Sequence, residues 1–174
     1  MAEFNIEKSD EKEYVLEMVK QDGKLLDLAS SRLKNDKEIV AEAIKQNPIA
    51  LEFASKELKN DEEIVMQSVS NVGWTACYAS ERLRADKQIM LAGMKIDGQI
   101  LYYASRELRD DKETVLTAVT NKGLILKYAS KRLRNDKDIV LAAIKQDKRA
   151  GAYIDSEELK NDEDVQAILN PPKE

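Results

Sequence analysis

The chain has no histidine, a single cysteine (Cys77), a single tryptophan (Trp74) and only three prolines among its 174 residues. Without histidine it lacks the usual general base at neutral pH, the usual zinc ligand and every Ser-His or Cys-His arrangement, so a non-enzymatic protein is expected. One cysteine cannot close an intramolecular disulfide, which agrees with a reducing compartment. No apolar run approaches the roughly 18 residues of a membrane-spanning helix. The opening "MAEFNIEKSDEKEY" has neither the basic start nor the apolar stretch of a secretory signal, and a soluble protein working in a cytosol is expected. The six glycines are scattered and make no phosphate-cradling loop. The acidic clusters "NDEE" and "RDDKE" lack the alternating spacing and central glycine of a calcium loop. Neither a cofactor nor a metal is expected.

Charged residues make up 35% of the chain and hydrophobic ones 43%, a balance that suits amphipathic helices better than a disordered tail. Acids and bases are interleaved, with a net charge of -5, which argues against a nucleic-acid or anionic-membrane binder. No glycine-rich or serine-rich linker divides the sequence, so a single domain over 1–174 is expected, and a monomer.

A repeat dominates everything else. "FASKELKNDEEIV", "YASRELRDDKETV" and "YASKRLRNDKDIV" begin at Phe53, Tyr103 and Tyr128, and rows of equal length start at Glu11, Asp36, Asp61, Asp86, Asp111 and Asp136, with a further start at Asp162 after a one-residue insertion. The first half of each row carries apolar residues at helical spacing, as in Val15, Met18 and Val19 or Ile39, Val40, Ala43 and Ile44, with a lapse at Ser68 in the third row. Asn35, Asn60 and Asn135, like Asp10 and Asp110, precede an acid by three residues, and the pattern predicts that they cap these helices.

Glycine or proline then stops the first helix in "QDG", "QNP", "NVG" and their copies, and a second helix follows. It carries Leu26, Leu28, Ala29 and Leu33 in the first row, matched by Leu51, Phe53, Ala54 and Leu58 in the second and by Leu101, Tyr103, Ala104 and Leu108 in the fourth. The alanines mark close helix approach and the leucines plug the gap between repeats. The serines after the alanines, Ser30 to Ser130, either bond back within this helix or cap a short final turn. About six buried side chains at ~2 kcal/mol each cannot order one row, whose residues cost ~1.5 kcal/mol apiece. The fold class expected is therefore all-α: an α-solenoid of six two-helix repeats and a C-terminal half repeat over 162–174. Residues 1–10 form an N-terminal cap with Phe4 and Ile6 as its lid. A longer period is superposed, because Arg32, Glu57, Arg82, Glu107, Arg132 and Glu158 alternate in sign at one position, which predicts charge pairing from row to row.

The stretch "LEFASKELKNDEEIV" and its copies, through their Ala-Ser, Leu-Arg/Lys-Asn-Asp and Ile-Val elements, resemble the repeat family known as domain of unknown function 4116, whose unit spans two of these rows. The resemblance covers Glu11 to Asn161 and departs in the sixth row, "GAYIDSEELK", whose second helix is expected to pack differently. It implies parts of bacterial and protist proteins, some of them secreted effectors that reach a host cytosol, and it implies no activity.

The positions free to vary are the informative ones. One column at the start of the second helix reads Lys24, Ile49, Trp74, Gln99, Leu124 and Arg149, and one turn on another reads Asp27, Glu52, Cys77, Tyr102, Lys127 and Ala152. Apolar middle rows with charged outer rows have the layout of an interface core and rim. A protein-partner surface of Ile49, Trp74, Cys77, Tyr102 and Leu124 is expected, the partner's identity being open. Two other readings stand beside it: nucleic-acid binding along the basic row Lys34, Lys59, Arg84, Arg109, Arg134 and Lys160, where each cation is followed within two residues by an acid or amide, and a structural spacer.

Overall fold

The computed structural model describes residues 4–171, and every regular element among them is a helix. The chain divides into two compact units, Met1–Arg84 and Ala85–Glu174. Each is an all-α solenoid stack, of three repeats in the first unit and of three repeats and the half repeat in the second, as the sequence pattern predicts. The first helix of each repeat is α-helical: Lys12–Gln21, Lys37–Gln46 and Glu62–Val69 in the first unit, and Lys87–Ile96, Lys112–Asn121 and Lys137–Gln146 in the second, followed by the half repeat's Glu163–Leu169. Helices this short are marginal alone and persist because each buries an apolar face against its neighbours. Val15, Val19, Ile39, Val40, Val65, Val115 and Val140 are all fully enclosed.

The second helix of each repeat is a six-residue 3₁₀ helix: Gly23–Leu28, Pro48–Phe53 and Gly73–Tyr78, then Gly98–Tyr103, Gly123–Tyr128 and Lys148–Tyr153. Three residues per turn align positions i and i+3, so Leu26 with Ala29, or Leu101 with Ala104, form the buried edge. The intervening position turns outward. Leu28 is 40% exposed and Tyr103 37%, and Phe53 is half-buried, so this column is surface rather than the core that an α-helical reading predicts. A short third turn follows, such as Leu33–Asn35 or Leu133–Asn135, and buries the plugging leucine.

The helix caps lie one residue later than the Asn-based pattern predicts. Asp36, Asp61, Asp86, Asp111, Asp136 and Asp162 take extended backbone and accept hydrogen bonds from the N–H groups two or three residues on. The preceding Asn or Asp is used between repeats instead. Ser55 Oγ donates to Asn35 Oδ1 at 2.5 Å and Ser80 Oγ to Asn60 Oδ1 at 2.6 Å. The same serine oxygens accept from Leu58 and Leu83 N–H, so they cap the short turn.

Glycines permit close approach here, not unusual backbone angles, since no described residue has a positive φ. A Cβ on Gly98 would collide with the Ala118 carbonyl oxygen, and one on Gly23 with that of Ala43. The Gly23 N–H donates to Gln46 Oε1 and the Gly98 N–H to Asn121 Oδ1. The chain reverses through the preceding Asp or Asn, as at Asp22, whose carboxylate accepts from Lys24 N–H. The lapse at Ser68 is compensated: its hydroxyl lies 2.8 Å from that of Thr75 and 2.7 Å from the Pro48 carbonyl oxygen, with both side chains fully buried.

A ladder of lysines links successive α-helices. Lys12 reaches Asp36 and Glu38, Lys37 reaches Asp61 and Glu63, and in the second unit Lys112 reaches Asp136 and Asp138, all at 2.7–2.9 Å. Partial burial would raise the Asp36 and Asp136 carboxyls, but the lysine and the capping N–H groups outweigh it and hold both below the usual value. Such exposed pairs contribute little stability and serve to fix register.

Two further expectations are corrected. The arginines do not meet the alternating glutamates. Arg32 turns back to Asp10, with Nε 3.0 Å from Oδ1 and Nη2 2.7 Å from its carbonyl oxygen; Arg82 does the same to Asn60 and adds Glu62 at 2.8 Å. A guanidinium fork fits an exposed carbonyl and side-chain oxygen pair, which the row before always offers. Ile6 is 62% exposed and is no lid, whereas Phe4 does stack on Tyr14, 5.4 Å between ring centres. The half repeat is described to Pro171, and the part of the expected caps at 1–3 and 172–174 lies outside the described residues. In the sixth repeat Ile154 fills the alanine slot, the inserted Asp155 pairs with Arg134 at 2.8 Å, and Ser156 bonds to Asn135 through its N–H instead of its hydroxyl.

A candidate partner-binding surface

The two free columns occupy the second and fifth positions of each 3₁₀ helix. Three residues make one turn, so Trp74 and Cys77, or Gln99 and Tyr102, stand on one face. Ile49, Trp74 and Cys77 belong to the first unit, Tyr102 and Leu124 to the second.

In the first unit Trp74 is 38% exposed, and its ring leans edge-on against Tyr78 with centres 5.7 Å apart. The tryptophan is thus braced without being enclosed. Ile49 and Cys77 are half-buried. Burial pushes the Cys77 thiol up, the Glu52 carboxylate adds to that and Arg84 opposes it weakly, so the sulfur is a neutral thiol rather than a reactive thiolate. Tyr78 donates to Glu52 Oε2 at 3.0 Å.

In the second unit Tyr102 is 51% exposed and lies edge-on to both Tyr103 and Tyr128, 4.9 Å from each. Leu124 is half-buried. Tyr103 and Tyr128 were not among the sequence-derived site residues, because they recur at a position that looks like framework. The signal that identifies them is the 3₁₀ period, which takes that position off the buried edge.

The basic row is answered locally at most of its positions. Lys34 lies 3.6 Å from Asp27, Lys59 donates to the Glu52 carbonyl oxygen at 2.6 Å, Arg134 pairs with Asp155 and Lys160 with Glu157 at 2.6 Å. Arg109 differs: its Nε is buried and has no hydrogen-bond partner, a condition shared with Arg84. Among the described residues no three His, Cys, Asp or Glu side chains are placed to hold a metal ion, and no helix is long and apolar enough to cross a membrane.

The arginine joint recurs every second repeat, at Asn60, Ser80 and Arg82 and again at Asp110, Ser130 and Arg132, where Arg132 Nε lies 3.1 Å from Asp110 Oδ1. The structural period is therefore two rows. No curated protein and no solved structure matches the chain. A family model described as a domain of unknown function, DUF4116, matches residues 11–59, 61–109 and 111–160, so that the arginine joints at 60 and 110 fall between successive matches. With three such units over most of its length, the chain belongs to the DUF4116 family.

Proposed function

We propose that the protein is a non-enzymatic interaction module that works as a monomer in a cytosol, a host cytosol if it is delivered as an effector, and engages another protein through the variable columns of its repeats. The observation that supports this reading is the exposure of large aromatics where the repeat demands no particular shape. Trp74 stands in a column with lysine, glutamine and arginine, and Tyr102 in one with aspartate and alanine. Partly exposed tryptophan and tyrosine are the side chains most often found at binding hot spots. Ile49 and Cys77 flank the first aromatic patch and Leu124 serves the second. Nucleic-acid binding along the basic row has less support, since acids or carbonyl oxygens already engage Lys34, Lys59, Arg134 and Lys160.

Trp74→Ala tests the reading. It should leave the melting temperature within a few degrees of the parent while abolishing capture of a specific partner, identified by mass spectrometry and re-bound in purified form. Retention of binding with a lowered melting temperature would assign Trp74 to packing alone. The purified complex should survive a change from low to moderate salt, because an aromatic-anchored interface lacks the steep salt dependence of phosphate contacts.

A further inference from the structure

The second unit holds an open cleft of about 400 Å³ between its first two repeats, lined by Arg106, Arg109, Lys127, Tyr128, Lys131 and Arg134. Five of these six side chains are cationic. The acids nearby are few: Asp155 answers Arg134, Asp110 is engaged by Ser130 and Arg132 and lies within electrostatic reach of Arg106, and Glu107 feels both Arg106 and Arg109. Lys131 forms no ion pair among the described residues, and Lys127 has only the face of Tyr128, 4.7 Å from the ring centre. Arg109 Nε is buried and unpartnered. A buried guanidinium donor left without an acceptor is costly, and such costs recur where a ligand supplies the missing group.

The equivalent positions fifty residues earlier show what the second unit has lost. There the Glu52 carboxylate accepts from Tyr78 and lies within electrostatic reach of Lys59, whose ammonium bonds to the Glu52 carbonyl oxygen; Glu81 stands where the second unit has Lys131, and Cys77 where it has Lys127. Tyr102 replaces Glu52 and stacks on Tyr128 instead. The internal acid is gone, two cations are added and an aromatic cluster abuts them. The field around the cleft also differs. Residues 1–84 carry twelve basic and seventeen acidic side chains, whereas residues 85–174 carry sixteen of each, so the whole net charge of -5 belongs to the first unit.

We infer that this cleft receives the carboxylates of an acidic segment of a partner polypeptide, with Tyr102, Tyr103 and Tyr128 taking an apolar or aromatic side chain beside them. The inference rests on the interaction reading above and names the chemistry of the partner. Arginine forks match carboxylates in two-point geometry. The positive charge ends within one cleft because Arg134 and Lys160 are already paired, which suits a few acidic side chains better than a phosphate backbone that must be followed over many repeats.

The test uses the full chain and a fluorescein-labelled glutamate-rich peptide with a central phenylalanine, beside its glutamine counterpart, a single-stranded oligonucleotide and inorganic phosphate as competitor. The glutamate peptide should bind, and both the glutamine peptide and the variant Lys127→Glu with Lys131→Glu should weaken binding by about tenfold or more. Lys56→Glu, at the first-unit position that corresponds to Arg106, should change nothing, and melting curves of both variants should match the parent. Equal binding by the double variant, equal loss with Lys56→Glu, tighter binding of the oligonucleotide, or displacement of the peptide by millimolar phosphate would each overturn the inference. If the peptide fails while Trp74→Ala still abolishes partner capture, the interaction reading stands and only this inference falls.

Discussion

The first and second units are built on one plan and differ in what they display. In both, a ten-residue or eight-residue α-helix, a 3₁₀ helix and a short turn repeat with the same buried valines, alanines and leucines. On that shared frame the first unit sets the Glu52 carboxylate against Tyr78 and its carbonyl oxygen against Lys59, while the second sets Tyr102 against Tyr128; each unit buries one arginine Nε without a partner, that of Arg84 and that of Arg109. The frame is satisfied by shape and by backbone hydrogen bonds, so charge and aromaticity can change at the columns without disturbing it. The difference between the units is thus one of surface chemistry.

The largest effect that probes this comparison lies in the frame. Leu108→Ala in the second unit and Leu58→Ala in the first should each cost ~2–5 kcal/mol by chemical denaturation, because both leave a cavity at the same structural position. Lys87→Ala, which loses only exposed pairs to Asp111 and Glu113, should cost under ~1 kcal/mol. Unequal losses at the two leucines would break the claim of a common frame.

A smaller effect concerns the caps. Asp136→Ala should cost roughly 1 kcal/mol, with Asp136→Asn recovering most of it, since an amide oxygen can still accept from Asp138 and Ile139 N–H. Ala85→Asn should add no cap, because Asp86 already accepts from Gln88 and Ile89.

The position that separates the units should be nearly silent in stability. Tyr102→Glu copies the first unit's acid into the second and should shift stability by less than ~0.5 kcal/mol, as exposed substitutions do, while weakening the glutamate peptide as much as charge reversal at Lys127 and Lys131 does. A large loss of stability would make Tyr102 part of the frame.

The smallest expected effect is none. With no histidine, neither unit has a side chain that ordinarily titrates near neutrality, and the melting temperature should be nearly flat between about pH 5 and pH 8. The capping aspartates have folded values below their ordinary ones, so the stability they add is complete above about pH 4 and is lost as the pH falls through the folded values. The lysines of the ladder are raised, so their contribution persists until strongly alkaline pH, whereas the raised Cys77 thiol disfavours folding once its unfolded counterpart ionises above about pH 8.5. A step in stability near pH 6.5 would contradict this.

The repeat, its helical face and the alanine and leucine columns were legible because packing demands them in every row. The kind of second helix was not, since six residues fit an α-helical turn and a half or two 3₁₀ turns equally well, and this ambiguity hid Tyr103 and Tyr128 from the site. The caps were misplaced by one residue because "Asn-Asp" offers two adjacent capping side chains, and only the geometry shows that Asn60 is held by Ser80 and Arg82. Trp74 and Tyr102 could be found as exceptions to the repeat. Arg109 could not, because an unanswered cation reads like its answered copies until the acids around it have positions.

The hydrogen bonds that the Gly23 and Gly98 N–H groups make to the next repeat have a consequence for how the protein ages. Asp22-Gly23 and Asp97-Gly98 are of the dipeptide type most prone to isomerisation, in which the glycine nitrogen attacks the aspartate side chain to close a succinimide ring. In the folded chain each glycine N–H is held by Gln46 or Asn121, and each aspartate carboxylate is held by the N–H two residues on. The reacting pair is pinned apart from both ends, so these bonds are expected to stay intact in the folded protein and to degrade chiefly in molecules whose repeats have come unstacked.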